Sequence, residues 1–460
     1  MLDRLPPQLR RIITETPALA QVFLVGGCVR DALLGEPVKD LDFEVFGIDY
    51  EQLVEVLGQW GRADLVGRSF GVVKLTTDEG CFDFALPRRD SKTGAGHRGF
   101  AVQVDPSLTP AEAAARRDFT INSLMYDLRR GQLLDAHGGQ ADLALRILRH
   151  TSPAFTEDPL RVLRGMQMIS RFCLTAAPET LVLCREMSPS HDELPPERRR
   201  EEWLKWAALA RMPGRGLTFL AESGWLVHYP ELAGTRGIPQ DPEWHPEGDV
   251  WQHTLYAVDE LAGMSAWLEL DRNARSILMF AVLLHDTGKN GTTRREVRGG
   301  SERIISPGHE HESARLAVDF LERMDLPIHL RQRIVPLVTH HMAHFAEPTD
   351  RAVRRLASRL HPATVRELGL LMTADASARP PRARQVPPTV TALLARADRL
   401  ELQNAAPKPI LMGRHLLDRG YPTGPGMGKL LAKAFEAQLD GEFSDLAGAW
   451  DWMNRQAPGA

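Results

Sequence analysis

The chain has 460 residues, of which 43% are hydrophobic and 25% charged, and its formal net charge is −4 at pH 7. That length exceeds what one hydrophobic core supports, so about three or four structural units are expected. The composition is that of a globular protein, and no run of about 18 apolar residues predicts a membrane span. The slight negative charge gives no general attraction to nucleic acid, so RNA binding must depend on local basic clusters.

Cysteine usage and the N-terminal residues predict a cytoplasmic location. The four cysteines are scattered without paired spacing, which is typical of a reducing compartment and does not form a zinc-ribbon pattern. The first residues lack the apolar segment of a signal peptide. We therefore expect no membrane association.

The first element with chemical content is a glycine pair that follows a short apolar run. Residues 22–25 (VFLV) predict a buried strand, and residues 29–34 predict a helix. Between them, Gly26 and Gly27 permit a tight turn and close approach of the backbone to a ligand. The free N–H groups in the first turn of such a helix attract anions, so we expect a triphosphate to bind there.

A second predicted strand, with residues 41–45 as its main part, carries two aspartates. Asp40 and Asp42 are two residues apart, and residues at that spacing in a strand point to the same side. Neighbouring carboxylates repel each other, so the pair requires a cation, and Mg²⁺ prefers such oxygen ligands. Asp83, on a strand predicted over residues 81–85, is either a third catalytic carboxylate or an ordinary surface residue. A phosphate-binding turn beside a magnesium site is the chemistry of nucleotidyl transfer.

A dense polar group follows at residues 115–123 (ARRDFTINS). Its two arginines, Arg116 and Arg117, are next to Asp118, and the alternatives are a charged helix start or a phosphate contact. A planar guanidinium group suits triphosphate oxygens, so the functional interpretation places one arginine on the triphosphate.

Residues 155–164 (FTEDPLRVLR) predict the start of a helix, with Thr156 as its cap. Asp158, Arg161 and Arg164 recur at a spacing of three and share a face. They form either an intrahelical ion pair or a base-recognition group. Cytosine and adenine present an amino donor beside a ring acceptor, which a carboxylate and a guanidinium match, whereas uracil and guanine present the reverse order. The sequence therefore predicts selection of C and A without a nucleic-acid template.

Histidines concentrate in the second half of the chain, between residues 247 and 377. An apolar helix predicted over residues 276–284 ends in His285 and Asp286. A lone histidine is usually structural, but adjacent histidine and aspartate after a buried helix, with more histidines on later segments, have the composition of a metal site.

Taken in order, four motifs resemble the class II nucleotidyltransferases, which comprise the CCA-adding tRNA enzymes and bacterial poly(A) polymerases. The motifs are GGxVRD at 26–31, DxD at 40–42, RRDFTIN at 116–122 and EDPLRVLR at 157–164. The resemblance covers residues 21 to about 175 and implies a Mg²⁺ site at Asp40 and Asp42. With Asp83, these two are the predicted catalytic residues. The predicted nucleotide-binding residues are Gly26, Gly27, Arg30, Arg117, Asp118, Asp158, Arg161 and Arg164. One departure is Gln167, at a position one turn after Arg164 where the family often has another arginine.

Residues 247–377 resemble the HD phosphohydrolase domain. The resemblance implies a divalent metal, Mg²⁺, Mn²⁺ or Ni²⁺, and a phosphatase or cyclic phosphodiesterase activity that trims damaged RNA ends. The implied ligands are His253, His285, Asp286 and Asp375, with His309 and His341 as additional members of the site.

Three further segments are candidate RNA contacts. The glycine-rich, basic segment 87–99 is expected to be a loop beside the active site, and in this family such a loop helps the switch from C to A addition. The arginine clusters at 198–200 and at 351, 354 and 355 are either RNA contacts or solvated surface. Residues 420–429 resemble the tail of several CCA-adding enzymes and are either a phosphate contact or a plain turn.

The sequence therefore predicts an α+β protein in four parts. These are a nucleotidyltransferase head with a mixed sheet (1–145), an all-α neck that selects the nucleotide and binds RNA (146–238), an HD domain (239–378) and a helical tail (379–460). The predicted function is Mg²⁺-dependent transfer of CMP and AMP from CTP and ATP to the 3′ end of tRNA. A poly(A) polymerase or A-adding enzyme shares these motifs, and an RNA-binding protein with a degenerate site is the alternative of another class. The sequence predicts no particular oligomeric state.

Overall fold

The computed structural model describes residues 5–38, 40–66, 71–92, 100–343 and 347–456. The chain divides into two compact units, the first made of Met1–Trp203 and Arg215–His228 and the second of Leu204–Gly214 and Tyr229–Ala460. Across the described ranges, no helix is both long and apolar enough to cross a membrane.

Strands are concentrated in the first 150 residues. They are β1 (Val22–Val25), β2 (Asp42–Val45), β3 (Arg62–Val66), β4 (Val72–Thr77), β5 (Gly80–Ala85), β6 (Arg88–Lys92), β7 (Phe100–Val104), β8 (Met125–Asp127), β9 (Gln132–Leu134), β10 (Ile147–Leu148), β11 (Thr175–Ala176), β12 (Arg294–Arg298) and β13 (Ser301–Ile305). Seven of them form one sheet in the order β3-β4-β5-β2-β1-β8-β9. Strands β2 and β5 pair in parallel, and the other neighbours in this sheet are antiparallel. This confirms the predicted mixed sheet.

Helices account for most of the remaining chain. They are α1 (Pro7–Glu15), α2 (Gly27–Leu33), α3 (Tyr50–Gly58), α4 (Pro110–Ala115), α5 (Gly139–Ala144), α6 (Leu160–Phe172), α7 (Pro178–Glu186), α8 (Pro196–Leu209), α9 (Pro213–Glu222), α10 (Pro230–Ala233), α11 (Val250–Gly263), α12 (Ser265–Leu268), α13 (Arg272–Leu284), α14 (Lys289–Thr292), α15 (His309–Arg323), α16 (Ile328–His340), α17 (Asp350–Leu360), α18 (Val365–Ser377), α19 (Pro388–Arg399), α20 (Gly413–Leu417), α21 (Pro425–Asp440) and α22 (Leu446–Gln456). The predicted α+β class, with a mixed sheet followed by helical regions, is therefore confirmed.

The centre of the sheet is apolar and holds the strands that carry the predicted acids. All four residues of β1 are buried, and the rings of Phe43 on β2 and Phe84 on β5 stack at 4.7 Å. In the parallel pairing of these two strands, Asp42 is directly opposite Asp83. Strand β2 begins at Asp42, so Asp40 precedes the strand instead of lying within it as predicted.

Helix α6 begins differently from the sequence prediction. Thr156 does not cap the helix, because its hydroxyl donates to the Pro153 carbonyl within a short 3₁₀ turn at 3.1 Å. Asp158 takes the capping position, where its Oδ1 accepts the Leu160 N–H at 3.0 Å. The cap fixes Asp158 at the N-terminus of the helix that carries the two predicted base-reading arginines.

The second unit contains the histidine-rich helices and the tail. Residues 276–284 of α13 are buried throughout. In the tail, Asp440 of α21 pairs with Arg351 at 2.9 Å and with Arg355 at 2.6 Å, and the Leu439 carbonyl accepts from Arg354 at 3.0 Å. This arginine cluster therefore has partners within the chain, which argues against its interpretation as a free RNA-binding patch.

Candidate active site and metal centre

The glycine turn lies directly beside strand β2. Gly26 has a φ of +73°, a left-handed conformation that favours glycine, and a side chain there would meet the guanidinium of Arg117 at 3.1 Å. The Cys28 thiol on α2 donates to the Val25 carbonyl at 3.2 Å. Burial raises the pKa of this thiol, and the charge of Asp42 adds to the increase. The helix that follows the turn and the carboxylate of Asp42 are thus neighbours.

The three predicted carboxylates are electrostatically coupled. Desolvation raises the pKa of Asp42 above its ordinary value, the Arg117 guanidinium opposes this, and the charges of Asp83 and Asp40 add to the increase. Lys74 neutralises the negative charge of Asp83 only weakly, because its Nζ lies 4.0 Å from Asp83 Oδ1 and both side chains are about half exposed. An all-oxygen group of acids with this incomplete neutralisation fits a hard divalent cation such as Mg²⁺.

Glu44 is a functional candidate that the sequence interpretation missed. It is 1% exposed, and its carboxylate accepts from Arg117 at 2.9 Å and lies 3.5 Å from Arg116. Among the described residues, Glu44 is the one carboxylate that pairs with Arg117. The signal was present in the sequence, because a lone acid two residues after Asp42 in an apolar strand shares its face.

Replacing Glu44 with alanine is expected to raise the KM for both ATP and CTP about tenfold, with a smaller change in kcat. The reason is that Arg117 loses the charge-assisted hydrogen bond that holds it beside the glycine turn. Initial rates at varied nucleotide concentration test this. Glu55→Ala, which removes an exposed acid on α3, is the control, and an unchanged KM for Glu44→Ala would contradict the role.

Asp118 is buried in a hydrogen-bond network. Its Oδ1 accepts from the Phe119 N–H and from Asn122, both at 2.8 Å, and its Oδ2 accepts from Arg164 Nε at 2.7 Å. Burial alone would raise its pKa, but Arg164 and Asn122 outweigh this and lower it. Asp118 is therefore placed to orient Arg164, and its predicted direct contact with the nucleotide remains a prediction.

Arg30 belongs to the same network. Its Nε and one terminal nitrogen donate to Asp31 Oδ1 at 2.8 and 2.6 Å, and the other terminal nitrogen donates to Asn122 Oδ1 at 2.5 Å. The guanidinium also lies 4.4 Å from the ring centroid of Phe172, and the residue is 7% exposed. Arg30 thus braces α2 against α6, with the Gly27 backbone beside its guanidinium.

The three predicted base-reading residues do not form an intrahelical ion pair. Arg161 donates to the backbone carbonyls of Ala154 and Arg116, at 2.7 and 2.8 Å. Arg164 is held through Nε, and within the described part of the chain no hydrogen bond engages its two terminal nitrogens. Asp158 pairs with Arg198 of α8 instead. Asp118 contributes most to raising the pKa of the Arg164 guanidinium, and Asp158 adds a smaller contribution.

The predicted basic loop at 87–99 is only partly observed. Residues 88–92 of this segment form strand β6, which pairs with β7, so this part was wrongly predicted as a loop. Residues 93–99 lie outside the described residues. The expected role of this loop in the switch from C to A addition therefore stays a prediction.

In the second unit, the six predicted metal-site residues come together in the interior. All are at most 6% exposed (His253, His285, Asp286, His309, His341, Asp375). The Nδ1 atoms of three histidines lie 2.7 to 2.8 Å from backbone carbonyls, and that of His253 lies 2.7 Å from Glu247 Oε1. Because these oxygens accept, each Nδ1 is placed to donate its proton, and each Nε2 is directed into the cluster, where it carries a lone pair whenever the ring is neutral.

With neutral rings, this arrangement leaves nitrogen lone pairs facing one another. The Nε2 atoms of His309 and His341 are 3.1 Å apart. The Nε2 atoms of His253 and His285 are buried and make no hydrogen bond, although carboxylate oxygens of Asp375 and Asp286 lie at 3.1 and 3.3 Å. A cation relieves such repulsion directly, so the donor set fits a divalent metal.

The histidines are grouped in two sets that share Asp286. Its Oδ2 lies 3.8 Å from His253 and 3.3 Å from His285, and its Oδ1 lies 3.2 Å from His309 and 3.7 Å from His341. Each set of three offers ligand atoms within 4.8 Å of one another. Asp286 therefore presents one carboxylate oxygen to each set of imidazoles.

Charged neighbours surround this cluster. Burial would raise the pKa of Asp286, but His285 and Lys289 outweigh it and hold the pKa well below its usual range. Lys289 Nζ lies 2.7 Å from Asp286 and 2.8 Å from Gln240 Oε1. Arg379 donates to Asp375 at 2.7 Å. Both carboxylates are therefore ionised and ready to bind metal.

Two family signatures match the chain at these two sites. Residues 22–149 match the family described as poly A polymerase head domain, and residues 250–402 match the HD domain. The first match contains the glycine turn and the three acids, and the second contains all six residues of the metal centre.

Solved structures share the fold over nearly the whole chain. The CCA-adding enzyme of Bacillus stearothermophilus, in complex with CTP, superimposes with a TM-score of 0.63 at 20% identity, covering 98% of each chain. The Thermotoga maritima CCA-adding enzyme complexed with tRNA_CCA has a TM-score of 0.60 at 18% identity and covers 99% of this chain and 97% of its own. At these identities the likeness establishes the fold.

Curated relatives establish the family. The multifunctional CCA protein of Acidovorax sp. (strain JS42) is 40% identical over 320 residues, which is 68% of this chain and 70% of that protein. The multifunctional CCA protein of Xanthomonas campestris pv. campestris (strain B100) is 36% identical over 367 residues, 77% of this chain and 84% of that protein. With more than two thirds of each relative covered, the chain belongs to the multifunctional CCA protein family.

Proposed function

We propose that the protein is a CCA-adding tRNA nucleotidyltransferase that transfers CMP and AMP from CTP and ATP to the tRNA 3′ end without a template. The observation that carries the proposal is the placement of Asp42, Asp83 and Arg117 beside the glycine turn. The relatives favour CCA addition over poly(A) synthesis. Solved neighbours in complex with CTP, ATP and tRNA support these partners. The intact acids argue against an RNA-binding protein with a degenerate site.

Each residue of the head then has a separate task. Asp40, Asp42 and Asp83 would hold Mg²⁺, which supplies charge neutralisation and activation of the RNA 3′-hydroxyl when bound. Arg117, held by Glu44, faces the triphosphate oxygens beside the glycine turn. Pyrophosphate leaves as the 3′-oxygen of the RNA bonds to the α-phosphorus.

Base selection is assigned to the N-terminus of α6. Asp158 accepts from the amino group of cytosine or adenine, and the free terminal nitrogens of Arg164 donate to the adjacent ring nitrogen. Asp118 keeps Arg164 in place through its Nε. Uracil and guanine would bring a carbonyl oxygen against the carboxylate, which is repulsive.

A labelling assay tests the function. A tRNA lacking its terminal CCA is incubated with Mg²⁺ and CTP alone, ATP alone, or both, and the products are resolved by length. The proposal expects addition of C-C with CTP and of C-C-A with both. Long A tails would instead support the poly(A) alternative, and the absence of any extension would refute nucleotidyl transfer.

A second activity is supported by the metal centre. We propose that the second unit hydrolyses phosphate esters at damaged RNA ends, as a phosphatase or 2′,3′-cyclic phosphodiesterase. Four histidines and two ionised carboxylates would hold two divalent cations, with Asp286 shared between them. Mg²⁺, Mn²⁺ and Ni²⁺ all accept nitrogen and oxygen ligands, and imidazole-rich sets favour the later metals.

The domain boundaries and location remain part of the proposal. We propose a head at 1–145, a neck at 146–238, an HD domain at 239–378 and a tail at 379–460. The match of the HD family to residues 250–402 supports an HD domain in the third region, and it continues past 378 through α19. A cytoplasmic location is supported by the four free cysteines.

A further inference from the structure

Arg198 has an unexpected partner in the base-selecting region. Among the described residues, its side chain reaches across from α8 to Asp158, 40 positions earlier, with its terminal nitrogens 2.9 Å from Oδ2 and 3.4 Å from Oδ1. The side chains of both residues are about three quarters buried, at 27% and 23% exposure. The contact is two-pronged and belongs to the first compact unit.

These contacts restrict the carboxylate of Asp158. An ionised carboxylate offers about four acceptor positions. The Leu160 N–H uses one position on Oδ1, and the two Arg198 nitrogens use one on each oxygen. The remaining acceptor edge on Oδ2 has a fixed direction because the cap and the fork together prevent rotation of the group.

We propose that Arg198 is a positioning residue for base selection, because it aims the one open edge of Asp158 at the amino group of the incoming cytosine or adenine. The inference rests on the proposed role of Asp158 and deepens it. The planar guanidinium holds a carboxylate in one plane, which a single point charge does not achieve. With the carboxylate fixed, a uracil carbonyl oxygen meets the acceptor head-on and is rejected.

Loss of Arg198 lets the carboxylate of Asp158 rotate away. The amino group of cytosine then forms a weaker hydrogen bond with Asp158, and the carbonyl oxygen of uracil is repelled less by it. The preference for CTP over UTP therefore falls, because CTP binds less well and UTP is excluded less. The acids and the glycine turn that carry out the transfer step stay intact. A surface ion pair with a purely structural role would lower stability or overall rate without changing the preference between nucleotides.

The test compares kcat/KM for CTP and for UTP on tRNA lacking its terminal CCA, using the full-length protein. Arg198→Ala is expected to reduce the CTP-over-UTP preference about tenfold, the loss of roughly one net hydrogen bond. Arg198→Lys keeps the charge but not the fork, so an intermediate preference is expected. Arg185→Ala, which removes a single arginine whose Nε donates to the Glu222 carbonyl, is the matched control and should keep the wild-type preference.

Asp158→Ala separates the inference from the proposed function. If Asp158→Ala lowers the CTP preference and Arg198→Ala leaves it unchanged, the positioning role is wrong and the role of Asp158 stands. If neither variant changes the preference, both assignments fail, although CMP transfer itself is still supported. If the wild-type protein transfers no CMP, both the proposed function and the inference are wrong. Equal losses in the Arg185 control would also overturn the inference.

Discussion

Replacing Asp42 with alanine is expected to lower CMP and AMP transfer by at least about 10³-fold. The expectation follows from the loss of several kcal/mol of metal-dependent charge stabilisation, at about 1.4 kcal/mol for each factor of ten. Asp42 is the acid that joins the cluster, because it is opposite Asp83 in the sheet and its pKa responds to both Asp83 and Asp40. Single-turnover rates with labelled CTP and with labelled ATP measure the effect.

The same substitution should leave the folded state at least as stable as before. The pKa of Asp42 is raised on folding, so its contribution to stability is greatest at low pH and is lost as the pH rises through the folded pKa. At neutral pH the charged carboxylate is therefore a cost to folding, which alanine removes. Thermal unfolding at pH 7 is expected to give an unchanged or higher midpoint.

Asp64→Ala is the matched control for Asp42. Asp64 is on β3 of the same sheet, where it forms an exposed ion pair with Arg62. Removing it should change neither transfer nor stability appreciably, because exposed pairs contribute little. Transfer by Asp42→Ala within tenfold of the wild-type rate would contradict the assignment of the metal site.

In the head, site residues that lie close together in the sequence were predictable, whereas those brought together by the fold were not. The glycine turn, Asp40 and Asp42 lie within 17 positions, and local strand and turn rules located them. The position of Asp83 opposite Asp42 required the sheet register, which a sequence alone does not give. Glu44 is two residues after Asp42 in the same strand, so the alternation of side chains in a strand also predicts it on that face. The sequence interpretation did not include it.

Charged residues with distant partners were the least predictable. Arg198 is 40 positions from Asp158, and Arg355 is 85 positions from Asp440, so in the sequence both look like free basic clusters. Thr156 has the composition of a helix cap, but the chain enters α6 through a 3₁₀ turn and Asp158 reaches the open N–H groups first. Tertiary packing decided each case.

The metal centre was predictable in composition but not in arrangement. The sequence predicted the six side chains as members of a divalent-metal site. The position of Asp286 between two histidine pairs was not predictable, because it depends on how α11, α13, α15 and α16 pack. The hydrogen bonds that set the histidine tautomers come from backbone carbonyls of those helices and of the turn before α15.

Asp286→Ala is expected to abolish phosphohydrolase activity on a 2′,3′-cyclic phosphate RNA end and to leave CMP and AMP transfer unchanged. Asp286 contributes to both ligand sets, so its loss removes the shared oxygen ligand and leaves four facing imidazole lone pairs with no counter-charge between the sets. Asp319→Ala, which removes an exposed aspartate on α15, is the control and should keep both activities. Hydrolysis by Asp286→Ala at the wild-type rate would contradict the assignment.

Metal content distinguishes a two-ion centre from a one-ion centre. If Asp286 bridges two ions, elemental analysis of protein purified with Mn²⁺ or Ni²⁺ should give two equivalents in the second unit for wild type and none for Asp286→Ala. His341→Ala removes a ligand from only one set, so it should retain one equivalent. Because metal binding stabilises only the folded state, chelation should lower the unfolding midpoint of wild type more than that of Asp286→Ala. One equivalent in wild type, lost completely in His341→Ala, would show that the two sets hold a single ion.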